Sequence, residues 1–226
     1  MKLLAIETAS EACSAALYLD GALSERYALA PREHARLILP MVDELLREAD
    51  LSPGALDAVA FGRGPGAFTG LRIAAGVAQG IAFGAELPVV AVSSLAALAQ
   101  GLYRERGAAR VLAAIDARIG EIYWGSYEAD AAGLMVLRGK ELLISPGEIA
   151  LPDGGDWYGA GSAWKIHDDI LRTSLSGQLL EIDAERNPRA YDVAALGVAA
   201  YRRGETMRAE LAAPVYLRDE VAVKQR

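Results

Sequence analysis

Apolar positions recur along this chain with two different periods, and the alternation between them outlines its elements. Residues 2–9 (KLLAIETA), 13–20 (CSAALYLD) and 25–30 (ERYALA) read as three consecutive strands, with Asp20-Gly21 as a turn signal. They predict an antiparallel meander. A helical period then runs from about Glu33 to Asp50, followed by a strand at 58–62, a second helical pattern at 69–85 and a strand at 88–93. A third helix starts at Ser94 and runs towards Arg104, so the first half reads βββαβα.

That order recurs. Strand patterns at 111–117 (VLAAIDA), 121–128 and 134–145 precede a short helical turn at SPGEI and a strand around Trp157–Gly161. Helical patterns at 163–175 and 191–203 flank a short strand at 179–183, and PVYLR follows at 214–218. Laying LAIETASEACSAALYLDG over LAAIDARIGEIYWGSYEAD sets Glu7 beside Asp116, each at the end of an apolar first strand. The expectation is an α/β protein of two duplicated halves, 1–106 and 107–226, with mixed sheets flanked by helices. By fold-level analogy this is the RNase H-like arrangement of the actin, sugar-kinase and heat-shock ATPase (ASKHA) proteins.

Composition narrows the chemistry. With 53% hydrophobic residues among 226, the chain buries a substantial core without staples. Its single cysteine, Cys13, rules out an intramolecular disulfide, and two histidines make no Cys/His cluster at zinc spacing. The amino terminus has only Leu3 to Ile6 before Glu7, short of a signal peptide's apolar core, so a cytoplasmic location is expected. The most apolar stretch, Ile73 to Val92, contains Gln79, Glu86, Pro88 and three glycines, which fits a buried helix and strand rather than a membrane span. A net charge of −7 argues that any RNA is held mainly by a partner.

The densest motif is FGRGPGAFTGLRIAAG at 61–76, where Gly62, Gly64, Gly66 and Gly70 bracket Pro65 between a strand and a helix start. Glycine permits close backbone approaches, so this is either a tight connection or a loop presenting amides to phosphate. A dinucleotide-binding reading lacks the acidic residue after the next strand, and a P-loop lacks Gly-Lys-Ser/Thr. GPGAFTGLRIAAG resembles the GPGSFTGLRIG signature of the TsaB (YeaZ) family, with Ala67 where that family often has serine. LAIETAS, REHARLILPMVDELL, IDARIGEIYWGSY and PVYLR resemble it too, in order and spacing from Leu3 to Arg218.

The resemblance implies an ASKHA-like two-domain fold and a non-catalytic subunit of the bacterial machinery that puts threonylcarbamoyl on a tRNA adenosine. It implies a heterodimer with the catalytic paralogue TsaD, joined by the ATPase TsaE, and a homodimer when the partner is missing. The catalytic paralogue carries an H-x-x-x-H metal pair on a helix; here His34 is followed four residues later by Ile38 and preceded four earlier by Ala30. That deficit weighs against the alternative of a metal-dependent glycoprotease, and no catalytic residue, metal ligand or cofactor is assigned. A kinase or ATPase is the other alternative, with Glu7 and Asp116 as its carboxylates and Gly64 and Gly66 in a residual nucleotide cleft.

Two helices carry the expected docking face. On a wheel the apolar residues from Leu37 to Leu46 sweep about 200°, wider than one core-facing stripe. The following helix sets Gly76, Gly80 and Gly84 at four-residue spacing beside a row of Gly70, Ala74, Ala78 and Ala82. Interior glycines cost roughly 0.5–1 kcal/mol each relative to alanine, which implies compensation by close packing within the chain or against another. The residues expected at a partner interface are His34, Leu37, Ile38, Met41, Leu45, Arg72, Ile73, Gly76, Val77 and Gly80.

Overall fold

The computed structural model describes residues 1–150, 155–175 and 179–218. Its first sheet comprises β1 (Lys2–Glu7), β2 (Ala12–Leu19), β3 (Ala22–Leu29), β4 (Ala58–Gly64) and β5 (Val89–Ser93), in the order β3-β2-β1-β4-β5. Its second comprises β6 (Arg110–Arg118), β7 (Glu121–Ala129), β8 (Met135–Ile144), β9 (Trp157–Ala160) and β10 (Leu179–Asp183), in the order β10-β9-β6-β7-β8. Counted from each sheet's own first strand, the two orders are the same. In both, the first three strands are antiparallel and the fourth joins the first in parallel. This is the duplicated α/β architecture with mixed sheets that the repeated pattern anticipated.

The β2–β3 turn takes the left-handed conformation at both Asp20 (φ 46°) and Gly21 (φ 107°), as a tight hairpin requires. Alternation along β1 then assigns its two faces. Leu4 and Ile6 join the outer core with α1 (His34–Glu48) and α2 (Phe68–Gly84), whereas Leu3 and Ala5 face inward.

The inward faces are covered reciprocally. Helix α3 (Ser94–Arg106) follows the first sheet, yet its Leu95, Leu98, Ala99 and Leu102 pack with Val111, Ala113 and Ile115 of the second. Helix α6 (Ala190–Arg202) follows the second sheet and packs its Val193, Ala194 and Val198 on Leu3, Ala5, Ala60 and Val90 of the first. Ser93 caps α3, its hydroxyl accepting from the amides of Leu95 and Ala96, and Gly107 ends it at φ 67°. Where the two helices meet, Arg104 pairs with the buried Asp192 at 2.9 and 3.1 Å. A Cβ on Gly101 would lie 2.8 Å from that carboxylate, so the glycine makes the approach possible.

One expected element is different. The helical pattern at 163–175 divides into α4 (Ala163–Ile166) and α5 (Asp168–Ser174), because His167 leaves helical geometry (φ −120°, ψ 25°) and turns its ring towards Asp116. Asp116 itself lies within β6 rather than at its end, since the strand continues to Arg118. Among the described residues no helix is long and apolar enough to cross a membrane.

Candidate functional site

The glycine loop is built against the turn that follows β1. A Cβ on Gly62 would fall 1.9 Å from a Glu7 carboxylate oxygen, one on Gly66 2.5 Å from the Ala9 carbonyl, and one on Gly70 1.9 Å from the Thr8 carbonyl. The Thr8 hydroxyl donates to the Gly70 carbonyl at 2.7 Å and the Ala67 amide to Ala9 at 2.8 Å. A Cβ on Gly64, at φ 98°, would fall 3.0 Å from the Leu71 side chain and 3.3 Å from the carbonyl of Val215. Gly62, Gly66 and Gly70 allow β4 and α2 to press against residues 7–9.

Glu7 is fully buried, accepting hydrogen bonds from the Ala9 amide at 2.6 Å and the Ser94 hydroxyl at 2.8 Å. Burial raises its carboxyl above the ordinary value of 4.5, against the lowering effect of those hydrogen bonds. A folded pKa above the unfolded one means that the protonated form stabilises the fold. That contribution is whole below the unfolded value and is lost as pH rises through the folded one. Glu7→Gln keeps the Ala9 contact on its amide oxygen and reverses the other, its amide nitrogen donating to the Ser94 hydroxyl, all without a charge, so the variant is expected to melt above the native chain at about pH 8 and with it at about pH 4. Equal melting curves at the higher pH would show that Glu7 is not held against its ionisation.

Asp116 stands elsewhere. Its Oδ1 accepts from the Arg118 amide at 3.3 Å and faces His167 Nε2 at 3.4 Å, while its own amide donates to the Ser162 hydroxyl at 3.1 Å. Glu7 and Asp116 have no hydrogen-bonding partner in common among the described residues. Among the described residues no three of His, Cys, Asp and Glu are grouped to hold a metal ion.

On the outer side of the first sheet the two helices divide the expected docking residues into three groups. His34, Ile38 and Leu45 are buried, Ile38 and Leu45 within the outer core, and Nε2 of His34 has no hydrogen-bonding partner among the described residues. Leu37, Met41, Ile73 and Val77 are half-buried against the outer core. Arg72, Gly76 and Gly80 are exposed. The wheel shows an apolar arc but not which part of it the sheet takes, and the inward side took the three residues of the first group.

The decisive feature is the orientation of α2. Its alanine row, Ala74, Ala78 and Ala82, is fully buried. Its glycine row, Gly76, Gly80 and Gly84, has nothing within 4 Å of where each Cβ would be. Close packing among the described residues therefore does not explain these glycines. Phe83, 67% exposed, stands beside that row three residues after Gly80, and Phe68 and Leu39 are also exposed apolar side chains on these helices. Phe68 and Phe83 were not singled out from the sequence, although Phe83 follows Arg72, Gly76 and Gly80 at helical spacing. Two surface grooves flank the end of α2, one of about 820 Å³ that includes Leu39, Leu46 and Ile81, the other of about 630 Å³ that includes Phe83, Leu87 and Met207.

A polar network missed by sequence reasoning links the sheets. Glu141 of β8 accepts from the Tyr127 hydroxyl at 2.6 Å and from the Ser93 hydroxyl, and pairs with Arg63 of β4 at 3.1 Å. No sequence spacing signals it, because its members come from four strands in two sheets.

Comparison with known proteins bears on this arrangement. The family described as TsaD, tRNA N6-adenosine threonylcarbamoyltransferase, matches residues 28–225. The chain is 43% identical over 228 residues to the tRNA threonylcarbamoyladenosine biosynthesis protein TsaB of Escherichia coli (strain K12), covering 100% of this chain and 98% of that protein. It is 37% identical to the TsaB protein of Haemophilus influenzae over 233 residues, 100% of this chain and 97% of that one. Among solved structures, YeaZ from Pseudomonas aeruginosa superposes with a TM-score of 0.90 at 49% identity, over 96% of this chain and 99% of that one.

Proposed function

Since the chain belongs to the TsaB (YeaZ) family of tRNA threonylcarbamoyladenosine biosynthesis proteins, we propose that it serves as the non-catalytic subunit of the modification complex. In this reading it binds and activates the catalytic paralogue TsaD, together with the ATPase TsaE, in the cytoplasm, and pairs with itself when the partner is missing. The residues divide into an amino-terminal half, 1–106, that carries the docking helices, and a carboxyl-terminal half, 107–226. The tRNA is contacted mainly through the assembly, in keeping with the net charge of −7.

The observation that carries this reading is the open glycine row on α2. A surface row without side chains lets a second helix come close, and the cost of interior glycines is then offset by that contact. Gly76 and Gly80, with half-buried Leu37, Met41, Ile73 and Val77 beside them, form the centre of the footprint, and exposed Arg72 marks its edge. Glu7 acts as an internal support for the glycine loop, because both its oxygens are engaged by the chain itself.

The test is reconstitution. Purified chain, catalytic paralogue and ATPase are combined with tRNA, ATP, bicarbonate and threonine, and modified adenosine is measured with each component omitted in turn. Modification is expected only when this chain and the paralogue are both present. Modification, proteolysis or ATP turnover by this chain alone would overturn the proposal.

A further inference from the structure

Residues 214–218 form no regular element, yet their groups are engaged on both sheets. The Val215 amide donates to the Arg63 carbonyl at 2.8 Å, and the Val215 carbonyl lies 3.3 Å from where a Cβ on Gly64 would be. The Tyr216 ring lies on Phe68 with centroids 5.7 Å apart, and its hydroxyl accepts from Arg72 Nε at 3.3 Å. Arg72 also places its guanidinium 3.8 Å from the centre of the Phe68 ring. These contacts belong to β4 and α2 of the first sheet. Arg218 reaches the other one, donating to the Ala117 carbonyl of β6 at 3.2 Å and pairing with Glu121 of β7 at 2.7 Å.

We propose that residues 214–218 are an intramolecular strap, closed over the glycine loop at Gly64 and fastened across the two sheets by Arg218, which is its releasable end. Arg63 receives the strap on its backbone carbonyl and the Glu141 carboxylate on its guanidinium, so two separate bridges between the sheets meet at one residue of that loop. The two ends of the strap differ in kind. At Val215 the link is a main-chain hydrogen bond, whereas the Arg218 and Glu121 side chains are 25% and 36% exposed, so water and salt weaken their attraction.

Every contact in the strap lies within one chain, and of the proposed docking residues only Arg72 touches it, so the two readings are tested separately. Amide hydrogen exchange on the isolated full-length chain tests it, read at Val215, with the Leu4 amide in β1 as a control for global unfolding. The Arg218→Ala chain is expected to exchange at Val215 at least about tenfold faster than the native one, while Leu4 keeps its protection. Glu121→Gln should act in the same direction, and the double exchange Arg218→Glu with Glu121→Arg should restore part of the protection. If Val215 is equally protected in the native and Arg218→Ala chains, the strap is not fastened there. If Val215 is unprotected in the native chain, the strap is not closed. Should Arg218→Ala also expose Leu4, Glu121→Gln decides: faster Val215 exchange with Leu4 protected supports the strap, and unchanged Val215 exchange overturns it.

Discussion

The Gly80→Leu chain is expected to fold, to melt at or above the native temperature and to lose roughly 100-fold or more of its affinity for the catalytic paralogue. The first part follows from the open space around Gly80, where a Cβ meets nothing within 4 Å among the described residues. Leucine is moreover the better helix former, by somewhat under 1 kcal/mol in a helix interior. The second part follows from the same geometry seen from outside: a branched side chain on the glycine row forces an approaching helix away along its whole line of contact. Thermal melts by circular dichroism and sedimentation of the mixed subunits separate the two effects. Undiminished association of a folded variant would remove Gly80 from the interface, and a variant that fails to fold would contradict the open surface itself.

Ten residues earlier on the same helix, the smallest possible side-chain addition is expected to do the opposite. Gly70→Ala places a methyl group 1.9 Å from the backbone carbonyl of Thr8, and backbone cannot step aside as the end of a flexible side chain does. Either α2 tilts away from the turn after β1 or the Thr8 hydroxyl loses its bond to the Gly70 carbonyl. An overpacking cost of about 2–4 kcal/mol corresponds to a fall in melting temperature of roughly 4–16 °C for a chain of this size. Loss of partner binding would follow only as a consequence of the displaced helix. A Gly70→Ala chain that melts like the native one would show that the loop and the turn are not in van der Waals contact.

The contrast between these two glycines marks the limit of what periodicity conveys. Both rows of α2 were legible in the sequence as adjacent ridges of small residues, but a period describes spacing and not which ridge turns inward. Alanine went inside because its methyl group fills space against β4, leaving the glycines outside. Likewise the strand at 2–9 was readable from its apolar run, while the role of Glu7 depends on Gly62 and Ser94, which are distant in sequence and meet it only once β4 and α3 are in place. The pattern at 163–175 concealed its break because His167 is compatible with a helix, and its contact with Asp116 lies beyond any local window. Duplicated topology was the most accessible property, since it requires only the order of elements and not their contacts.

The reciprocal placement of α3 and α6 has a bearing on synthesis. The inner face of the first sheet is complete in sequence at Ser93, but the helix that covers it spans Ala190–Arg202. At translation speeds of 5–20 residues per second, those inward residues wait on the order of 5–20 s for their cover. Until then Leu3, Ala60 and Val90 lack the α6 side chains that cover them in the folded chain, and α3 lacks the sheet it will join. Closure of that inner face is therefore expected to wait for α6, so that neither sheet is completed in isolation from the other.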